Sequence, residues 1–351
     1  MSRAVGVDAG TMFFQTAEKD TEGKLTFKEI RNAFVELEAS EDIEQVLEQN
    51  EWQYLKDGNK YYVIGEDSMR VARMFPGRVE LRRPMQGGVL NKGEDKKMLV
   101  MAKMIESSIG RPEDEKSVVC TCVSSDPVDG AVDNTFHKAR LEGMFKRLGW
   151  NVKVIEEGHA VILAERPVMI EEDGKEVPYS GLGISFGAGK VNCVLAYRGL
   201  PIIGMSAARS GDWIDQKVSD QTDTPVSQVT NIKERKLNFN SIDYDDDIIF
   251  ALDAYYTNML EYVFKNFAKK FAKVKSQFET PIDIVISGGT SMPEGFANKV
   301  KAVVDSLDLP FEIKDIIHSK DPRNAVVKGC LTQAVISQKK IEKGGIEKML
   351  E

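Results

Sequence analysis

The chain contains little cysteine and little histidine. Only four cysteines and three histidines occur among its 351 residues, which is too few for a disulfide framework. Cys120 and Cys122 are separated by a single residue, a spacing that is too tight for the usual zinc motifs. We interpret both as apolar strand residues, so the composition argues against a disulfide scaffold and against a cysteine-rich zinc protein.

Long hydrophobic runs and a basic surplus are missing as well. No apolar stretch approaches the roughly 18 residues that a membrane-spanning helix needs, and the start, MSRAVGVDAG, lacks the pattern of a signal peptide. The 47 Lys and Arg against 55 Asp and Glu give a net charge of −8, which argues against a dedicated nucleic-acid binder. We therefore expect a cytoplasmic protein with no nucleic-acid partner.

What remains is the composition of a folded protein with an internal repeat. The chain is 42% hydrophobic and 29% charged, which suffices for a core, and its length suggests about two domains. Three strands separated by turns are predicted between residues 4 and 30, and the same pattern returns between residues 182 and 207. This repeat at about half the chain length predicts two similar halves. Alternating helix and strand signals elsewhere predict a two-lobed α/β protein with a cleft between the lobes.

Three glycine-rich segments follow apolar strands. They are Asp8-Ala9-Gly10-Thr11, Gly187-Ala188-Gly189-Lys190 and Ser287-Gly288-Gly289-Thr290-Ser291. Glycine lets backbone amides approach phosphate oxygens closely, so each segment is a candidate phosphate-binding loop. One such segment is usually only a turn, but three that are distributed symmetrically over two halves indicate a shared ligand. None of them matches a Walker A loop or the dinucleotide-binding glycine pattern.

The three segments resemble the phosphate-1, phosphate-2 and adenosine motifs of the actin, heat-shock chaperone and sugar kinase superfamily. Further segments resemble the bacterial actin MreB in order and spacing, namely 63–67, 81–90, 154–157, 211–215, 232–234 and 325–329. The resemblance implies an actin-like ATPase fold. Two similar lobes would each have a core subdomain and a smaller inserted subdomain, with ATP and Mg²⁺ in the cleft between them.

The resemblance also implies domain boundaries and site residues. The core of lobe one would comprise 1–35, 72–152 and 325–351 with 36–71 inserted, and that of lobe two 153–212 and 273–324 with 213–272 inserted. The implied nucleotide-binding residues are Gly10, Thr11, Met12, Gly187, Ala188, Gly189, Lys190, Gly211, Lys233, Glu234, Gly288, Gly289 and Thr290. Asp8 would hold the metal through water and take part in catalysis.

Two residues depart from the family pattern. The phosphate-2 motif normally begins with Asp, which pairs with the phosphate-1 Asp to orient the metal's water shell, but Ser185 occupies that position. A hydroxyl supplies no charge to Mg²⁺, which prefers anionic oxygens, so Ser185 is at most a weak metal residue. Lys190 stands where the family usually has Thr. Its ammonium either lies near a phosphate, partly substituting for metal charge, or points outward from an exposed strand.

The residue that orients the attacking water has more than one candidate in the sequence. The superfamily places a Glu or Gln for this purpose at the start of a helix, and counting back from Leu148 and Gly149 puts His137 there. Asp133 and Asn134 are rivals because the preceding loop is longer than in the family. The ordinary pKa of histidine suits a base, whereas an exposed helical histidine without a catalytic role is the alternative.

The leading hypothesis is an ATP-binding cytoskeletal protein that polymerises with itself into filaments through head-to-tail contacts and hydrolyses ATP slowly. A non-polymerising pseudo-actin scaffold with weak or no nucleotide binding is one alternative, and a small-molecule kinase of the same superfamily is another. Membrane contact is expected to be weak or absent, because the first strand begins at Ala4 and the loop 110–116 is charged. The basic amphipathic stretch 264–273 is interpreted as a core-facing stripe.

Overall fold

The computed structural model describes residues 2–75, 77–129, 134–170, 174–274 and 281–350. Asp133, one rival for the water-orienting role, lies outside the described residues. The chain divides into two compact units. Unit 1 comprises Met1–Thr121, Thr135–Lys153 and Ala334–Glu351, and unit 2 comprises Cys122–Asn134 and Val154–Gln333. None of the described helices is both long enough and apolar enough to cross a membrane.

Strands and helices alternate along the chain as the sequence predicts. The first elements are β1 (Ala4–Ala9), β2 (Phe13–Lys19), β3 (Leu25–Arg31), β4 (Phe34–Glu38), α1 (Glu41–Gln49), β5 (Tyr54–Asp57), β6 (Lys60–Ile64), α2 (Glu66–Met74), β7 (Met85–Gln86), β8 (Val89–Leu90), α3 (Lys97–Ile109), β9 (Val118–Val123), α4 (Asn134–Arg147) and β10 (Asn151–Glu156). They are followed by α5 (Glu157–Glu165), β11 (Val168–Ile170), β12 (Glu176–Pro178), β13 (Gly181–Phe186), β14 (Val191–Tyr197), β15 (Leu200–Ala207), α6 (Gly211–Thr222), α7 (Val226–Arg235), α8 (Asp247–Phe271), β16 (Ile282–Ser287), α9 (Phe296–Asp305), β17 (Ile313–His318) and α10 (Ala325–Leu350).

Two five-stranded sheets have the same topology. Their strand orders are β3-β2-β1-β9-β10 and β15-β14-β13-β16-β17. In each sheet the central strand pairs antiparallel with the next strand of a meander and parallel with a later strand. Asp8 pairs with Gln15 and Ser185 pairs with Asn192, so the two residues occupy equivalent register positions. The internal repeat predicted from the sequence is therefore confirmed.

Helix α5 packs very closely on the second sheet because both partners present glycine. A Cβ atom at Gly158 would lie 2.8 Å from the Gly183 carbonyl oxygen and 2.7 Å from the Val194 nitrogen. These distances are shorter than any ordinary carbon contact, so a larger residue would push the helix off the strand. This close packing fixes the first residue of α5, Glu157, against the second sheet.

A smaller three-stranded sheet, β4-β6-β5, lies within unit 1. Its core of Val35, Leu47, Tyr61, Val63 and Val71 is contributed by the sheet together with α1 and α2. The sheet together with α1 and α2 extends from Phe34 to Met74, and the insertion predicted from the sequence is 36–71. The division of each unit into a core and an inserted subdomain stays a prediction.

In unit 2, helices α6, α7 and α8 share one hydrophobic cluster with the strands of the main sheet. Phe264, Phe267 and Phe271 on α8 are fully buried, whereas Lys265 and Lys269 on the same stretch are exposed. The basic amphipathic stretch therefore faces the core, as its apolar spacing predicted.

Candidate functional site

Two glycine-rich loops of unit 2 lie at the same edge of the second sheet. Strands β13 and β16 are parallel and in register at Ser185 and Ser287, so the loops that follow them emerge side by side. The Thr290 hydroxyl donates a hydrogen bond of 2.9 Å to the Gly187 carbonyl oxygen. The segments predicted as the phosphate-2 and adenosine motifs are thus directly linked, at the sheet edge where α/β proteins bind ligands.

The start of helix α6 packs against the first of these loops. The Gly211 amide donates to the Gly187 carbonyl at 3.1 Å, and the Asp212 amide donates to the Ala188 carbonyl at 2.8 Å. These bonds turn both carbonyls toward α6. Within the described residues, the backbone amides of Ala188 and Gly189 make no hydrogen bond. Amides in this arrangement can donate to the oxygens of an anion such as phosphate.

Lys233 on α7 reaches the same place. Its Nζ lies 2.8 Å from Asp215 Oδ1 and donates to the Gly211 carbonyl oxygen at 3.3 Å. Both side chains of this ion pair are almost completely buried, and Glu234 beside Lys233 is exposed. The structure therefore gathers the loops at Gly187 and Thr290, the start of α6, and Lys233 around one region of unit 2.

Glu157 contacts both strands that flank the Gly187 loop, at Ser185 and Asn192, and was not predicted from the sequence to belong to the site. Its Oε2 accepts hydrogen bonds from Asn192 Nδ2 at 2.8 Å and from Ser185 Oγ at 3.4 Å, and its Oε1 accepts one from Ser124 Oγ at 3.3 Å. The residue belongs to the segment 154–157 that resembles MreB and is the first residue of a helix. That position, directly before the close-packed Gly158, was the sequence signal that could have identified it.

The Lys190 side chain is buried, so it does not point outward from an exposed strand, and its contact with a phosphate stays a prediction. The residue is only 7% exposed. Its Nζ donates to Asn134 Oδ1 at 3.3 Å, and Asn134 in turn donates to the carbonyl oxygens of Ser124 and Ser125 at 2.9 and 2.7 Å. Burial lowers the pKa of the Lys190 ammonium, while the negative charges of Glu157 and Asp129 oppose that shift.

The predicted site residues of unit 1 have partners of their own. Thr11 Oγ1 accepts a hydrogen bond from the Gly88 amide at 2.9 Å, and the Gly10 carbonyl accepts one from Asn32 Nδ2 at 2.7 Å. His137 is 3% exposed, and its Nδ1 accepts the Leu90 amide at 3.3 Å. The alternative of an exposed helical histidine is therefore wrong. The nucleotide roles of Gly10, Thr11 and Met12 stay predictions.

The residues of unit 2 do not fit the metal arrangement that the resemblance implies. Ser185 contributes a neutral hydroxyl, and both oxygens of the adjacent Glu157 carboxylate already accept hydrogen bonds from side chains. Lys190 adds a buried cation to the same loop. In the part of the chain that the structure describes, no three His, Cys, Asp or Glu side chains form a group suited to a metal ion. Asp8, in unit 1, remains the one carboxylate of the predicted metal pair.

Comparisons with known proteins identify the fold. A family model described as Volactin matches residues 3–334. The structure of the MamK double helical filament aligns with a TM-score of 0.66 and 17% identity, covering 95% of this chain and 99% of that chain. MreB5 of Spiroplasma citri bound to AMPPNP aligns with a TM-score of 0.67 and 14% identity, covering 98% and 99%.

The same MreB5 bound to ADP aligns with a TM-score of 0.64 and 14% identity, covering 97% of this chain and 99% of that chain. No curated protein sequence matches the chain at a significant level. The chain therefore has an actin-like α/β fold of the MreB type, as its motifs predicted.

Proposed function

The chain belongs to the Volactin family, and from this premise we propose that it is a cytoskeletal protein that binds ATP and polymerises with itself into filaments. The observation that carries the proposal is the contact among the Gly187 loop, the Thr290 loop and the start of α6. Two kinds of similar structure support it. MamK was solved as a double helical filament, and MreB5 was solved with AMPPNP and with ADP.

In this proposal the backbone supplies most of the phosphate contacts. The amides of Ala188 and Gly189 donate to phosphate oxygens, and Thr290 fixes the loop that carries the adenosine side. Lys233 and Glu234 lie near the base and ribose.

Hydrolysis is slow in this proposal. Glu157 is a better candidate than His137 for orienting the attacking water, because it is a carboxylate at the start of a helix and lies beside Ser185. Ser185 cannot supply the negative charge with which the phosphate-2 Asp of the family orients the water shell of the metal, so phosphoryl transfer lacks that contribution. No step is assigned to Mg²⁺, since the residues of unit 2 do not fit it. A cytoplasmic location without nucleic-acid or membrane partners also stays a prediction.

Sedimentation combined with electron microscopy tests the proposal. Purified protein is incubated without nucleotide, with ADP and with ATP, and we expect pelletable filaments with ATP. A Gly187→Val variant, whose side chain would meet the Lys190 carbonyl, should lose both ATP binding and pelleting. Gly143→Ala, on α4, is the matched control because a Cβ atom there would make only an ordinary contact, 3.8 Å from Arg147 Nη1. Protein that neither binds ATP nor pellets would instead favour the pseudo-actin scaffold, and phosphate transfer to a small acceptor would favour the kinase.

A further inference from the structure

The Gly187 loop carries a buried cation at a place where the related motif has a neutral residue. We propose that the Lys190 ammonium binds the phosphates of the nucleotide directly, so that this protein binds nucleoside triphosphates with little dependence on a divalent cation. The inference rests on the proposed function, because it concerns the same site.

The backbone holds Lys190 at the end of a tight hairpin. The Gly187 amide donates to the Lys190 carbonyl oxygen at 3.0 Å, which closes the turn between β13 and β14. Among the described residues, the amides of Ala188 and Gly189 in the same turn have no hydrogen-bond acceptor. The ammonium and these amides therefore belong to one four-residue loop, and an anion bound by the amides lies within the field of the ammonium.

The ammonium has too few partners for a buried charge. An ammonium has three N–H donors, and among the described residues Nζ has a single neutral acceptor, Asn134 Oδ1, at 3.3 Å. No carboxylate of the described residues forms an ion pair with Lys190. Buried charges are normally paired, because removal from water is costly. A polyphosphate would supply the missing negative charge.

Nearby acidic residues act on Lys190 only at longer range. The charges of Glu157 and Asp129 favour the ammonium form, yet burial outweighs them, so the pKa of Lys190 is lowered. Glu157 is itself held by Asn192 and Ser185. The carboxylate therefore remains a hydrogen-bond acceptor of its neighbours instead of pairing with the lysine, and the cation is left for the ligand.

The lysine and a metal ion are alternative solutions to the same charge problem. A divalent cation beside the ammonium is repelled by it, so a metal ion is retained there only where the bound phosphates and protein carboxylates together outweigh the repulsion. Ser185 offers no negative charge to offset that repulsion. Both departures from the family pattern, the missing carboxylate and the added cation, therefore disfavour a bound divalent cation.

Calorimetric titration of the purified full-length chain with ATP, in EDTA and in MgCl₂, tests the proposal. For the wild type we expect dissociation constants within about threefold of each other in the two buffers. Lys190→Thr should lose at least about tenfold in affinity in EDTA. Lys190→Arg keeps the charge and should retain binding in EDTA. Lys269→Thr is the matched control, since it removes an exposed lysine of α8.

A double variant tests whether dependence on a divalent cation can be restored. Ser185→Asp combined with Lys190→Thr rebuilds the family arrangement, and we expect its ATP affinity to depend on MgCl₂ by at least about tenfold. The wild-type comparison needs no variant, so it remains decisive if Lys190→Thr does not fold. Wild-type binding that appears only with MgCl₂ would overturn the inference and leave the proposed function intact. Absence of ATP binding in both buffers would remove both, and wild-type affinity of Lys190→Thr in EDTA would overturn the inference alone.

Discussion

The Thr290 hydroxyl donates to the Gly187 carbonyl oxygen over 2.9 Å and so joins two loops that are 103 residues apart in the chain. The same carbonyl accepts the Gly211 amide at 3.1 Å. Three separate segments therefore meet at one oxygen atom. This junction fixes the direction in which the Gly187 loop presents its amides. Replacement of Thr290 should therefore affect both the stability of the loops and their affinity for ATP.

Replacement of Thr290 by Val should loosen the junction without creating a cavity. Loss of one hydrogen bond is expected to cost about 1 kcal/mol of unfolding free energy and about fivefold in ATP affinity. Gly187 keeps its bond from Gly211, so its carbonyl is not left unsatisfied. Urea unfolding and ATP titration measure the two effects. Thr290→Ser retains the hydroxyl and is the control, and equal ATP binding by Val and Ser variants would contradict the prediction.

Replacement of Glu157 by Gln should separate binding from hydrolysis. The amide keeps the size of the side chain and can still orient a water, but it cannot accept the proton of that water. ATP affinity should therefore change little while phosphate release falls about tenfold or more. Single-turnover assays at high protein concentration measure the rate even if it is slow.

Two other variants compare Glu157 with the adjacent Glu156 and with His137. Glu156→Gln changes the preceding carboxylate and should release phosphate at the wild-type rate. His137→Gln tests the candidate named from the sequence. A larger loss of phosphate release in His137→Gln than in Glu157→Gln would reverse our assignment.

Two adjacent glycines should respond very differently to substitution. Gly288 has φ +101°, and a Cβ atom there would collide with the backbone of Phe186, whereas a Cβ atom at Gly289 meets nothing within 4 Å. We expect Gly288→Ala to lower the unfolding free energy by about 1–3 kcal/mol, because the conformation is strained for any other residue. Gly289→Ala should cost less than about 0.5 kcal/mol. Thermal unfolding of the two variants side by side checks the difference.

His318 should make stability depend on pH below neutrality. Its Nε2 lies 3.0 Å from Ser291 Oγ, next to the Gly288 loop. Burial lowers the pKa of His318 from 6.5, so the unfolded chain takes up a proton at a higher pH than the folded chain. The contribution to stability is fully present above pH 6.5 and is lost as the pH falls through the lowered value of the folded state.

The measurement for His318 is a difference between two proteins. Urea unfolding of the wild type and of His318→Gln is compared at pH 8 and at a pH of about 5.5. The carboxylates titrate in both proteins, so they cancel from the comparison. The stability advantage of the wild type should shrink at the lower pH, and an advantage that grows on acidification would show that the ring is protonated in the folded state.

Much of the fold was predictable from the sequence because the signals are local. Each central strand is an apolar run that ends in small residues, and the two meanders repeat the same pattern half a chain apart. Glycine is needed where backbones must approach closely or adopt positive φ, so loops at Gly187 and Gly288 could be located without a structure. These features depend on residues that are close together in the chain, so they can be recognised in the sequence as short motifs.

Tertiary structure alone decided which side chains surround those loops. Glu157 meets Ser185 and Asn192, which lie 28 and 35 residues away in the chain, because α5 packs on the second sheet through Gly158. Lys190 turns inward because Asn134, 56 residues away, accepts from its ammonium. Spacing along the chain does not predict these contacts, because they form only when a helix packs against a sheet and water is excluded between them. Composition and motif order thus determined the fold, and packing determined which charged side chains lie beside the glycine-rich loops.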